Sequence, residues 1–275
     1  MKTRSACAEP RRRAASLVLA AFFCTGLAAQ EKGTLVERLS WDEARPLLTR
    51  EAIVVIAVGA QAKEHGKHLP LNNDWLMAEY LKARVVRAAQ VIAYPTINYH
   101  FYPAFRPFPG STTVEQTTAR DMVADVVRSI AMHGPRKFYV LNTGVSTIAP
   151  LEATQALLRL EGIEMQFTDI LSVAGDVEKK LSTQQEGTHA DETETSAMLY
   201  IAPDVVKMAK AVKDYRRLRD QWPHVNGGGA DAATGVYGDP TLATREKGEA
   251  IVEAMVAAIL REIDALRRAP LPQAF

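Results

Sequence analysis

The segment Lys63-Glu64-His65-Gly66-Lys67-His68-Leu69-Pro70-Leu71-Asn72-Asn73-Asp74 puts two histidines and two carboxylates within eleven positions. Imidazole nitrogen and carboxylate oxygen together suit zinc, manganese or iron, so this stretch has the donors of a divalent-metal site. A plainer account fits it equally well, with Asp74 capping a helix and Glu64 and the histidines solvated in a loop. A second run, Thr188-His189-Ala190-Asp191-Glu192-Thr193-Glu194-Thr195-Ser196, precedes the apolar Ala197–Ile201 and by pattern alone reads as an exposed acidic loop. His100 lies among Tyr99, Tyr102 and Phe105 in a proline-rich stretch that could wall a pocket or serve as an oligomer contact. His133 and His224 read as structural or surface residues.

These clusters must hang on something rigid. Glu51-Ala-Ile-Val-Val-Ile-Ala-Val-Gly59 is a β-branched run suited to a strand buried on both faces of a parallel sheet. A helix is predicted from about Asp74 to Val86, a strand over Val91–Tyr94, and then a helix capped by a hydroxyl of Gly110-Ser-Thr-Thr113 and ending at Gly134. A third strand is expected at Lys137–Leu141, a helix at Pro150–Leu160, a strand at Met165–Ile170 and a last helix from Thr244 to about Arg267. Strands alternating with helices predict an α/β fold with a mostly parallel sheet covered on both faces. Chemistry then belongs in the loops after strands, here those following Gly59, Tyr94 and Leu141, and in Gly187–Ser196.

The 275 residues carry 33 Lys+Arg and 32 Asp+Glu, with 47% hydrophobic and 24% charged residues. That is a globular composition with no basic field for nucleic acid. Both cysteines, Cys7 and Cys24, fall in an N-terminal stretch where Lys2, Arg4 and Arg11–Arg13 precede the apolar run Ala14–Ala29, too short to span a bilayer. This is the layout of a secretory signal peptide over residues 1–30, with small residues at Gly26-Leu-Ala-Ala29 for cleavage. The Sec route is favoured over the twin-arginine route that Arg11-Arg12-Arg13 also allows, and no stable membrane anchor is expected. Residues 31–275 form the working domain, periplasmic or secreted, mildly acidic and free of thiols. Any metal in it must be held by histidine and carboxylate, and a cysteine nucleophile is excluded.

At the two clusters the chain resembles the creatininase family, the creatinine amidohydrolases. The glycine after the first strand, His65-Gly-Lys-His-Leu-Pro-Leu71 and an Asp nine residues after His65 match its first motif. His189-Ala190 with Glu194-Thr195-Ser196 resembles its His-Ala-Gly-x-x-Glu-Thr-Ser segment, and Phe108-Pro-Gly-Ser111 its Phe-Pro-Gly-Thr loop. Gly235-Val-Tyr-Gly-Asp-Pro240 with Ala243-Thr244 resembles its C-terminal signature, so the likeness runs in order over about residues 50–265. It implies a three-layer α/β/α sandwich, often a hexamer, in which one or two divalent metals (zinc, manganese or iron) activate water to open non-peptide amides.

Carried over by position, His65, Asp74 and Glu194 are metal ligands. Two departures stand out. Lys63 occupies the position two before His65 where the family has a ligand glutamate, with Glu64 one place later; Glu64 joins the ligands if the loop bulges. Asn142-Thr-Gly-Val-Ser-Thr147 puts Gly144 where the family has a ligand histidine, so His189 or water fills the gap, or one metal binds, or the site is degenerate. The expected reaction has metal-activated water attack the amide carbonyl, with His189 or Glu192 passing a proton to the leaving nitrogen. Lys63 either promotes ionisation of that water or holds a substrate carboxylate. His100, Ser111 and Asn142 are expected at the pocket for a small-molecule amide. The rival is a periplasmic binding or scaffold protein that keeps the fold without catalysis.

Overall fold

Six consecutive residues, Ile53 to Val58, are buried completely, and the two-residue period of a strand sends them alternately into two separate cores. In a computed structural model that describes residues 31–221 and 233–273, this run is the middle strand of five. The strands are Thr34–Leu35 (β1), Ile53–Val58 (β2), Ile92–Ile97 (β3), Lys137–Asn142 (β4) and Glu164–Phe167 (β5), ordered β1-β3-β2-β4-β5 with every pairing parallel. The helices are Trp41–Ala44 (α1), Asn73–Ala88 (α2), Gln116–Ala131 (α3), Ile148–Leu160 (α4), Gly175–Leu181 (α5), Glu192–Ile201 (α6) and Arg245–Arg268 (α7).

On one face Ile53, Val55 and Ala57 pack with Met77, Leu81 and Val85 of α2 and Ile251, Met255 and Ile259 of α7. On the other, Val54, Ile56 and Val58 meet Val123 and Val127 of α3 and Leu151 and Leu158 of α4. The result is the three-layer α/β/α sandwich expected from the sequence. Each large apolar side chain so buried contributes about 1.5–3 kcal/mol relative to exposure. Gly59 closes the strand because a Cβ there would meet the Asp74 carbonyl oxygen at 2.6 Å and the Ala78 Cβ at 2.7 Å. The strand end and the first turn of α2 therefore approach at backbone distance, and Asp74 is delivered beside the loop that leaves β2.

Several expectations change in detail. The hydroxyls of Ser111, Thr112 and Thr113 do not cap α3, whose N-cap position is Glu115. They serve loop backbone instead: Ser111 Oγ accepts from the Glu64 amide at 2.9 Å, and Thr113 Oγ1 accepts from the Tyr102 amide at 2.8 Å. Those amides lie at loop crossings with no ladder partner, so the hydroxyls satisfy them there. β5 stops at Phe167, where Asp169 Oδ1 accepts from the Leu171 amide and turns the chain. The acidic segment is a helix from Glu192 onward, with Asp191 Oδ1 accepting from the Glu194 amide at 3.0 Å as its N-cap. The leader expected at residues 1–30, the Asn226–Gly229 stretch and His224 lie outside the described residues. No helix of the described residues is long and apolar enough to cross a membrane.

Candidate metal centre

The loop leaving β2, the first turn of α2 and the first turn of α6 converge at the carboxyl end of the sheet. Gly66, at φ +68°, turns the loop where a Cβ would meet the His68 ring at 2.8 Å. His65 is fully buried. Its Nδ1 lies 2.8 Å from the Lys63 carbonyl oxygen, which can only accept, so Nδ1 carries the proton and Nε2 presents a lone pair. That lone pair faces Asp74 Oδ1 at 2.7 Å and Glu194 Oε1 at 3.3 Å. Three acceptors meeting where His65 and Asp74 are buried need a cation among them or a second proton on the ring. This convergence is what a divalent ion fits. His65, His189 and Glu194 can each offer a ligand atom, all within 4.8 Å of one another.

Glu194 is held independently of any ion. Its Oε1 accepts from Asn73 Nδ2 at 2.8 Å and its Oε2 from the Ala190 amide at 2.7 Å. Ala190, at φ +49°, is the one described non-glycine residue in the left-handed region. That conformation costs about 1–3 kcal/mol and is held by the bonds of residues 188–189 to Tyr237 before it and by the Asp191 N-cap after it. Its effect is to aim an amide at the Glu194 carboxylate.

Lys63, 5% exposed, places Nζ 2.7 Å from Asp74 Oδ2 and over the rings of Phe105 (4.7 Å) and Tyr102 (5.5 Å). Burial pushes the Asp74 carboxyl up, but Lys63 and His65 overturn this and hold it well below the usual range. Burial lowers His65, yet Asp74 and Glu194 leave it raised on balance. His189 falls to about 3 through burial and the charge of His65. Glu64 is pushed up to about 7, chiefly by burial, against the pull of His65, the Gly66 amide and Lys63.

A cavity of about 500 Å3 opens onto Lys63, His189 and Glu194. Its lining also includes the apolar Met77, Phe105, Ile170, Leu218 and Met255. Glu178 of α5 also lines it, raised to about 7 by burial and the nearby Asp191 carboxylate. No motif marks Glu178, which in sequence is one acid of an ordinary amphipathic helix.

The remaining candidates fall in different places. The Glu64 carboxyl is held by other partners: its Oε1 accepts from the Gly66 amide, and its Oε2 lies 3.3 Å from His189 Nε2. Gly235 is required beside it, because a Cβ there would overlap the carboxyl group. Glu192, expected to carry a proton, is fully buried away from the cavity. Its carboxylate is occupied by the Thr183 and Gln184 amides, the Ser182 and Thr183 hydroxyls and the Lys247 ammonium, so it ties down the 182–184 turn and is not placed to reach a substrate. Asn142 folds back onto Gly144 and Thr147, and Ser111 supports the Glu64 amide. His100 is buried with both ring nitrogens unpartnered, lowered to about 4 by burial, and does not line the cavity. His68, not singled out for a role, bonds Thr195 Oγ1 through Nε2 at 2.8 Å and ties the two motifs together.

The family model described as creatinine amidohydrolase matches residues 37–263. A mycofactocin precursor peptide peptidase of Mycolicibacterium smegmatis is 30% identical over 227 residues, 79% of this chain and 87% of that protein. A creatinine amidohydrolase of Pseudomonas putida is 27% identical over 259 residues, 86% of this chain and 97% of that protein. Among solved structures, a creatinine amidohydrolase (creatininase) superposes with a TM-score of 0.70 at 24% identity, covering 87% of this chain and 100% of that one.

Proposed function

Because the chain belongs to the creatininase family of hydrolases, we propose that it is an exported, metal-dependent amidohydrolase acting on a non-peptide amide C–N bond, cyclic or linear. The observation that carries this reading is the lone pair of His65 Nε2 facing Asp74 Oδ1 and Glu194 Oε1 in a buried pocket. His65, Asp74 and Glu194 would hold the ion, leaving an open position toward the cavity as catalytic sites with three protein ligands do. A divalent ion bound there supplies Lewis acidity, polarising the scissile carbonyl and bringing the ionisation of water near neutral pH.

The chain's own residues do the rest. Lys63 fixes the Asp74 carboxylate from the side opposite His65. His189 faces the cavity with its Nε2 backed by Glu64 Oε2; neutral at rest, it would accept the proton of the attacking water and return it to the leaving nitrogen. The apolar wall strips water from the bound amide, and a volume of about 500 Å3 suits a substrate with an apolar substituent larger than a single small ring. A homo-oligomer, hexameric by family likeness, and export by the leader belong to the same proposal; mass measurement in solution and fractionation of cells producing the full chain test them.

The test is the metal content of purified protein, followed by a screen of cyclic amides, linear amides, formamides and short peptides. Near-stoichiometric zinc, manganese or iron, with turnover of a non-peptide amide abolished in Asp74→Ala, is expected. Absence of metal and of turnover would instead make the chain a binding or scaffold protein, the reading that Gly144 and the shifted Glu64 favour. Turnover of peptides alone would overturn the substrate class.

A further inference from the structure

We propose that the Lys63 ammonium is a built-in cation that takes one of two cation positions on the Asp74 carboxylate, so that the site holds a single divalent ion. This rests on the metal-dependent reading above. Asp74, 1% exposed, spreads its two oxygens over two partners: Oδ1 faces His65 Nε2 at 2.7 Å, on the side where the divalent ion would sit, and Oδ2 faces the Lys63 ammonium at 2.7 Å. A carboxylate used this way bridges two sites, and on the Oδ2 side the occupant is already covalently part of the chain.

The Lys63 side is also built for an ammonium and against a second metal. The Phe105 and Tyr102 rings flank Nζ and offer their faces to a cation, which lowers the cost of burying it without supplying any ligand atom. The loop after β4, Asn142–Thr147, brings no histidine or carboxylate. A Cβ on Gly144 would meet Thr147 Oγ1 at 2.9 Å and Cγ2 at 3.0 Å, so the space a ligand side chain would need is filled. The Asn142 amide is committed to Gly144 and Thr147.

Equilibrium dialysis of the full chain against Zn2+ or Mn2+, read by elemental analysis, tests this. Wild type is expected to saturate at one ion per chain, and its Mn2+ form to give an uncoupled paramagnetic resonance signal. Saturation at two ions, or an exchange-coupled manganese signal, would overturn the inference while leaving the hydrolase reading intact. No bound ion would overturn that reading and the inference with it. Lys63→Glu, which trades the ammonium for a ligand, should raise the stoichiometry from one to two, and Lys63→Met should leave it at one. A folded Lys63→Glu protein still limited to one ion would contradict the proposal. The manganese spectrum of wild type decides the matter even if neither variant folds.

Discussion

Replacing Glu192 by Gln separates a structural carboxylate from a catalytic one. Glu192 is fully buried; its Oε2 accepts from the Thr183 and Gln184 amides at 2.7 Å each, and its Oε1 faces the Thr183 hydroxyl and the Lys247 ammonium. A glutamine must turn its NH2 either toward two backbone donors or toward an ammonium, so one side is repelled whichever way it lies. Removing one partner of a buried pair costs about 3–5 kcal/mol, and the partial exposure of Lys247 puts this case near the lower figure, about 3 kcal/mol. For a domain of this size, at about 2–4 °C per kcal/mol, the melting temperature should fall by about 6–12 °C. Differential scanning calorimetry measures that shift, and turnover is then compared well below the variant's transition. The expected result is a large loss of stability with turnover per folded molecule nearly unchanged. An unchanged melting temperature with turnover reduced by about 10²-fold or more would refute this reasoning and return Glu192 to proton transfer.

Three further outcomes follow from the geometry. Glu178 has its carboxyl raised from 4.5 to about 7, so folding favours its neutral form; the penalty is absent below pH 4.5, grows as pH rises through 4.5 to 7, and is complete above. Glu178→Gln should therefore raise the unfolding free energy from urea titration at pH 8, by up to about 3 kcal/mol before solvent screening, and change little at pH 4.5; equal effects at both pH values would contradict this. His189→Ala should keep its metal while kcat drops by about 10²–10⁴-fold, whereas metal lost in parallel with activity would make His189 a ligand. Gly248→Ala places a Cβ into the Ser196 carbonyl where α6 and α7 meet. Although alanine is favoured within a helix by about 1 kcal/mol, a net loss of about 1–3 kcal/mol is expected in denaturant titration, and a gain would mean the helices can part.

The sheet was legible because Ile53–Val58 needed only its own residue types to announce a strand buried on both faces, and the spacing of Ile251, Met255, Ile259 and Ile263 announced one face of α7. The acidic segment was harder. Thr193, Glu194 and Thr195 look solvated in sequence, and what turns them inward is contact with residues far along the chain: Asn73 and the Ala190 amide on Glu194, and His68 on Thr195. Glu192 illustrates the same limit, since the partners that fix it at residues 182–184 and 247 carry no motif. The ion pair between Lys63 and Asp74 joins positions eleven apart whose meeting depends on the close approach at Gly59, which no periodicity encodes.

The central claim is that His65, Asp74 and Glu194 hold one divalent ion while Lys63 stands on the far side of the same carboxylate. Anomalous diffraction from crystals of the metal-loaded protein, recorded at the absorption edge of that metal, tests it most directly. One peak among His65, Asp74 and Glu194, with none between Asp74 and Lys63, is the predicted map; no peak at these residues, or a second one on the Lys63 side, would contradict the account.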